Sequence, residues 1–186
     1  MSSPLHERLK FDTDAGQVLD QDRRYVLMRA DVLMGLFAAL PEPDRQRAME
    51  ALGQSVWRHG ADSVKAYASQ PGCTPDMLLH TMQSSAASLG WGRWAFEEAP
   101  GGLRLQVSNS PFAAMASFHD RPACSAIVGM LQALGEALWR APVQVCETRC
   151  AAMSEPAACT CQFDMWPQTA LTSVPPGHGP HFDLQL

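Results

Sequence analysis

Trp91-Gly92-Arg93-Trp94-Ala95-Phe96-Glu97, then Pro100-Gly101-Gly102, then Leu103-Arg104-Leu105-Gln106-Val107, is the stretch that decides the fold class. Apolar residues recur with a period of two on either side of a Pro/Gly turn, which predicts a β-hairpin with Leu103, Leu105 and Val107 on one face. Helical patterns flank it. On the N-terminal side, Thr74-Pro75-Asp76 combines an N-cap residue, proline at the first helical position and an acid in the first turn, so a helix is predicted from there to about Leu89, with Gly90 as its stop. On the C-terminal side, Ile127, Leu131, Leu134 and Leu138 step by four, three and four, which predicts a helix from about Arg121 with Cys124 on the same buried face.

Further out the same alternation of classes continues. Leu9 to Leu19 reads as a hairpin turning at Asp14-Ala15-Gly16, and Arg24 to Arg29 as a further strand. Leu33, Phe37 and Leu40 mark a helix broken by Pro41 and Pro43, and Met49, Leu52, Val56, Val64 and Tyr67 mark the next, ending at Gln70-Pro71-Gly72. Towards the C-terminus, Val143 to Glu147 and Cys159 to Met165 read as strands. The expectation is an α+β domain, an antiparallel sheet packed against helices, over residues 1–166, with a Pro/Gly-containing tail over 167–186.

Composition limits the function classes. With 46% hydrophobic and 18% charged residues, the chain has the content of a globular core, and no apolar run approaches the roughly 20 residues of a membrane span. The N-terminus lacks the basic and apolar regions of a secretory signal, which points to the cytoplasm. A net charge of −5 and the absence of a basic stripe argue against direct nucleic-acid binding. The clustered glycines, Gly90, Gly92, Gly101 and Gly102, do not have a phosphate-cradling spacing, so no nucleotide or flavin motif is present.

Five of the six cysteines fall between residues 124 and 161. In a reducing compartment such cysteines are free thiols or metal ligands rather than disulfides. Cys124, Glu147, Cys150 and one of the pair Cys159/Cys161 offer the donor types of a closed zinc site. They also read as small buried thiols in helix and strand interiors. A straight strand would point residues 147 and 150 to opposite faces, so a shared ion demands a turn or bulge just after Glu147.

From Asn109-Ser110-Pro111-Phe112 through Cys124, Val145-Cys146-Glu147-Thr148-Arg149-Cys150 and Cys161-Gln162-Phe163, the sequence resembles the 4-vinyl-reductase (hydrocarbon-binding) domain family. The N-terminal half is similar in outline to the effector-sensing domains of phenol- and xylene-responsive activators in that family. The resemblance covers about residues 9–165. It implies a fold like that of transport-protein-particle (TRAPP) subunits, a homodimer, and a structural zinc held by three cysteines and a glutamate beside an aromatic-effector pocket. Carried over, the ligands are Cys124, Glu147, Cys150 and a final cysteine. Cys161 keeps the family's Cys-x-Phe ending, while Cys159 is nearer the family's spacing and the connection lacks the usual glycine, so both stay candidates.

The aromatic and Met side chains read as ordinary core on pattern alone. The resemblance makes a pocket of some of them, and Trp94, Phe96, Phe112, Phe118 and Trp139 are the expected lining, with His119 as a polar anchor. The function expected is binding or sensing of a small apolar or aromatic molecule, with output through a separate regulatory or enzyme partner. A closed set of four protein ligands leaves no place for an activated water, which argues against an enzyme. The alternatives are reduction of a tetrapyrrole vinyl group, or an accessory role in pigment biosynthesis, and a structural interaction protein without ligand.

Overall fold

The computed structural model describes residues 4–153 and 160–168. Cys159 and residues 169–186 of the expected tail lie outside the described residues. A short helix, α1 (Leu5–Arg8), leads into a small antiparallel sheet of β1 (Lys10–Asp12), β2 (Gln17–Asp20) and β3 (Arg23–Tyr25), in that spatial order. The expected hairpin turn is closed by Asp12 Oδ1, which accepts the Ala15 N–H at 2.8 Å, and by Gly16 at φ +62. The strand expected to run from Arg24 to Arg29 stops earlier. Tyr25 pairs with Val18, and β2 has just Gln17 left before the turn, so Val26, Leu27 and Met28 outrun their partner.

Three helices follow, α2 (Ala30–Ala38), α3 (Asp44–Ala68) and α4 (Pro75–Ser88). The cap of α4 forms as its sequence demands: Thr74 Oγ1 accepts the Met77 N–H at 3.2 Å, and Gly90 takes φ +74 after the last turn. Arg8 ties the N-terminal unit to α3. Its Nε and Nη2 donate to the buried Asp20 carboxylate at 3.2 and 3.0 Å, and Nη2 also donates to Tyr67 Oη at 3.0 Å.

The main sheet contains β4 (Arg93–Ala99), β5 (Gly102–Ser108), β6 (Val143–Arg149) and β7 (Thr160–Pro167), ordered β4-β5-β7-β6 and antiparallel throughout. The hairpin that decided the fold class is β4–β5, with Gly101 at φ +76 in its turn. One face is dry, carrying Trp94, Leu105, Val107, Cys161, Phe163 and Met165. Helix α6 (Ser125–Trp139) packs on β6 and β7, and α3 packs on α6. Two glycines let α3 and α6 approach to backbone contact: a Cβ on Gly129 would lie 2.0 Å from Gly53 O.

Two local expectations are corrected. Helix α6 begins at Ser125 and not near Arg121, so Cys124 is its N-cap, buried in the same core as Ile127, Leu131 and Leu134. Pro122 biases Arg121 against helical backbone, and the Ala123 N–H is turned onto Cys150 Sγ at 3.4 Å. A short helix, α5 (Pro111–Ala114), also stands where the sequence reading placed none. Among the described residues, no helix is long and apolar enough to cross a membrane.

Candidate metal centre

Sheet register decides which side chains meet. Phe96, Leu105, Phe163 and Glu147 form one cross-strand row, and Trp94, Val107 and Cys161 the next on the same face. Glu147 therefore points inward among apolar neighbours. The required irregularity follows it: Glu147 pairs with Phe163 but Arg149 with Gln162, so Thr148 is the extra residue of a β-bulge. Thr148 Oγ1 donates to Gln162 O at 3.3 Å, and Gln162 Nε2 donates back to Thr148 Oγ1 at 3.2 Å. Beyond the bulge Cys150 returns to the inner face, and a 3₁₀ turn over Ala151–Met153 carries the chain away.

Four ligand atoms converge there. The sulfurs of Cys124, Cys150 and Cys161 and a carboxylate oxygen of Glu147 all lie within 4.8 Å of one another, a group that could hold a metal ion. Cys124 and Cys161 sulfurs are 3.7 Å apart. All three cysteines are buried. Glu147 Oε1 is buried too and meets no hydrogen-bond partner among the described residues. Leaving a carboxylate oxygen in that state is costly unless something positive reaches it.

Backbone N–H groups face three of the four ligands. The Cys124 N–H donates to Glu147 Oε2 at 3.2 Å, the Ala123 N–H to Cys150 Sγ at 3.4 Å and the Ala151 N–H to Cys161 Sγ at 3.3 Å. The cluster also sits at the N-terminus of α6, the positive end of its dipole. The protons of these groups are unevenly held. Burial pushes the Glu147 carboxyl up to about 9. Hydrogen bonds with Cys150 and Cys161, followed by burial, push the Cys124 thiol well above its ordinary value. The Cys161 thiol is drawn down by hydrogen bonds from Cys124 and Cys150.

The remaining expected site residues are more scattered. Trp94 is buried beside Phe96, ring centroids 6.1 Å apart, in the rows that carry Cys161 and Glu147. Phe112 is buried edge-on to Trp91 at 5.3 Å. Phe118 is buried under the Arg45 guanidinium at 5.1 Å. His119 is exposed, with Nδ1 2.6 Å from Ala152 O, a tie between the loop before Cys124 and the turn after Cys150. Trp139 stands at the far end of α6, about 22 Å from Cys124 at 1.5 Å per residue. It borders a shallow cleft of about 300 Å³ with Glu98, Leu103 and Leu138. A second cleft, about 340 Å³, is lined by His6, Ser84, Ala87 and Ser88.

Sequence reasoning passed over Ser110 as a contributor. Its Oγ is 3.3 Å from Cys124 Sγ and accepts the Ala113 N–H at 3.4 Å. The signal was present in Ser110-Pro111, a cap residue followed by proline at the first helical position.

No protein-family model matches the chain, and no curated protein does. Among solved structures, its α+β fold is found again. One match is to the phenol-responsive sensory domain of the transcription activator PoxR, solved with phenol, at 17% identity and a TM-score of 0.71, covering 88% of this chain and 86% of that one. At this identity the likeness is one of fold. A vinyl-4-reductase family protein from Methanocaldococcus jannaschii is similar at 14% identity and a TM-score of 0.45, over 73% of this chain and 88% of that one.

Proposed function

We propose that this chain binds a small apolar or aromatic molecule and is held in its binding shape by one zinc ion on Cys124, Glu147, Cys150 and Cys161. The observation that carries the metal half is the convergence of those four ligand atoms within 4.8 Å. Tetrahedral zinc with Zn–S bonds of about 2.3 Å sets its sulfurs about 3.8 Å apart, and Cys124 and Cys161 sulfurs lie at 3.7 Å. Four protein ligands complete the shell, so the metal would cross-link the start of α6 to β6 and β7 and activate no water. The fold shared with the PoxR sensory domain supports the ligand half. The aromatic group we assign to the ligand is Trp94, Phe96 and Phe112, because Trp94 and Phe96 share their sheet rows with Cys161 and Glu147.

A homodimer is part of this reading. Phe11, Val26, Leu27, Met28, Val32 and Leu36 are each more than half exposed, a density of apolar surface that monomers seldom leave bare. Helix α2 buries Met34 and Phe37 on one side and shows Val32 and Leu36 on the other. A second copy brings the same patch to itself about a two-fold axis, and Arg29 and Asp31, already paired, are self-complementary charges at its margin.

Metal analysis of protein purified without added zinc should give one zinc per chain, and a thermal-shift screen should give stabilisation by phenols or alkylbenzenes. A metal-free protein that gains nothing from zinc refutes the first half. Absence of a shift with either ligand class refutes the second. Leu27→Asp combined with Leu36→Asp should convert a dimer to a monomer in sedimentation velocity, and a wild type that is monomeric at high concentration rules the dimer out.

A further inference from the structure

Each of the four candidate ligand atoms meets a hydrogen-bonding group that is not itself a ligand atom. For Cys150, Cys161 and Glu147 these are backbone N–H groups, of Ala123, Ala151 and Cys124. For Cys124 it is a side chain, the Ser110 hydroxyl at 3.3 Å. Ser110 is itself 4% exposed, so this bond is shielded from water. A metal-bound cysteine sulfur carries no proton and can only accept, whereas a hydroxyl has one proton and two lone pairs. One lone pair of Ser110 is committed to the Ala113 N–H, and the proton is left for the sulfur.

We infer that Ser110 is a positioning residue of the metal centre: its hydroxyl donates to the Cys124 thiolate, orients it toward the ion and supports the excess negative charge of a three-cysteine, one-glutamate shell. This rests on the zinc reading above. Three thiolates and a carboxylate around a divalent cation leave a net charge of −2, and in a buried site that charge is tolerable only where donors face the ligands. Backbone donors serve three of them whatever the side chains are. The fourth, at the helix N-cap, depends on residue 110.

The test is metal affinity and spectrum across a set of variants in the full chain. Zinc affinity is measured by competition with a chromogenic chelator, and cobalt(II) substitution reports the thiolate directly through its sulfur-to-metal charge-transfer band. Ser110→Ala should weaken zinc binding about 10–100-fold and move the cobalt band to lower energy, because a thiolate that loses a donor holds its electrons less tightly. Ser110→Thr should restore both. A wild type that binds neither metal overturns the zinc reading and this inference with it. A wild type that binds, beside a Ser110→Ala variant with the same affinity and band, overturns the Ser110 role alone. Weakened affinity with an unmoved band means loss of the α5 cap and also overturns it. If the alanine variant does not fold, the Ser110→Thr and Ser110→Val pair, equal in shape and differing in the hydroxyl, puts the same question: equal affinities and bands refute the role, and loss confined to the valine supports it.

Discussion

Gly129→Ala tests whether the packing of α3 on α6 sets the metal centre. The added Cβ would stand 2.0 Å from Gly53 O, 2.8 Å from Gly53 C and 3.1 Å from Trp57 N. All three atoms are backbone, so no rotamer change relieves the contact, and the axes must separate by about 1.5 Å to reach normal van der Waals distance. Helix propensity favours alanine by about 1 kcal/mol. Overpacking of this kind costs about 1–3 kcal/mol, and a rigid backbone neighbour puts it at the upper end. The net expectation is about 2 kcal/mol of destabilisation, a melting temperature lower by about 4–8 °C for a chain of this size. Because Cys124 caps α6, the same displacement moves a ligand by more than the roughly 0.2 Å a metal site tolerates, so zinc affinity should fall in parallel. Gly35→Ala is the internal control, since a Cβ there meets nothing within 4 Å and the substitution should stabilise α2 by about 0.5–1 kcal/mol. Calorimetry and chelator competition on both variants decide the matter. A Gly129→Ala protein as stable as the wild type, with unchanged zinc affinity, would refute the close crossing and its link to the site.

Two further outcomes follow from polar groups. Asp20→Ala removes the carboxylate that Arg8 donates to and should cost about 2–3 kcal/mol in urea unfolding, less than a fully buried pair because the Arg8 side chain is 20% exposed; a loss under about 0.5 kcal/mol would mean the tie is decorative. Metal uptake should release protons, because Glu147 and Cys124 hold theirs at neutral pH in the metal-free protein and must give them up to ligate. The apparent zinc affinity should therefore rise with pH through the neutral range and continue past about 9, where Glu147 has lost its proton and Cys124 still holds one, and a flat profile measured with a pH-indicating dye would contradict this protonation state.

Much of the fold was legible because the informative signals are local. Thr74-Pro75-Asp76 and Gly90 bracket α4 by cap chemistry, and the Pro100-Gly101-Gly102 turn fixes β4–β5. What escaped depends on partners distant in sequence. The pattern of α6 extends back through Cys124 in apolar periodicity, but Pro122 and the bond from Ala123 to Cys150 shorten it, and the second of these is invisible without the tertiary fold. The exposure of Val26, Leu27 and Met28 was equally hidden, since a run of apolar residues does not tell whether a neighbouring strand is long enough to pair with it. Trp139 has the composition of a pocket residue and the helix phase of the core, yet its distance along α6 separates it from Cys124. Of the alternative final ligands, Cys161 lies in the set by sheet register, and Cys159 is outside the described residues.

The spacing of Glu147 and Cys150 is where strand arithmetic says most. Three residues apart, they face opposite ways in a regular strand, and the bulge at Thr148 makes three residues span what two would otherwise span. Arg149 pairs with Gln162, so continuing the same register one residue past the end of β6 would bring Cys150 opposite Cys161. Deleting Thr148 should therefore leave every inner residue inner: Glu147 still opposes Phe163, the arginine still opposes Gln162, and the cysteine still opposes Cys161. A one-residue deletion in a sheet normally turns all later side chains over, so retention of one zinc per chain in this deletion variant would be a distinctive outcome. The stability cost should be confined to the lost Thr148–Gln162 hydrogen bonds, about 1 kcal/mol each. If the variant folds but loses the metal, face alternation is not what brings these ligands together, and the local twist of the bulge must be positioning Cys150 instead.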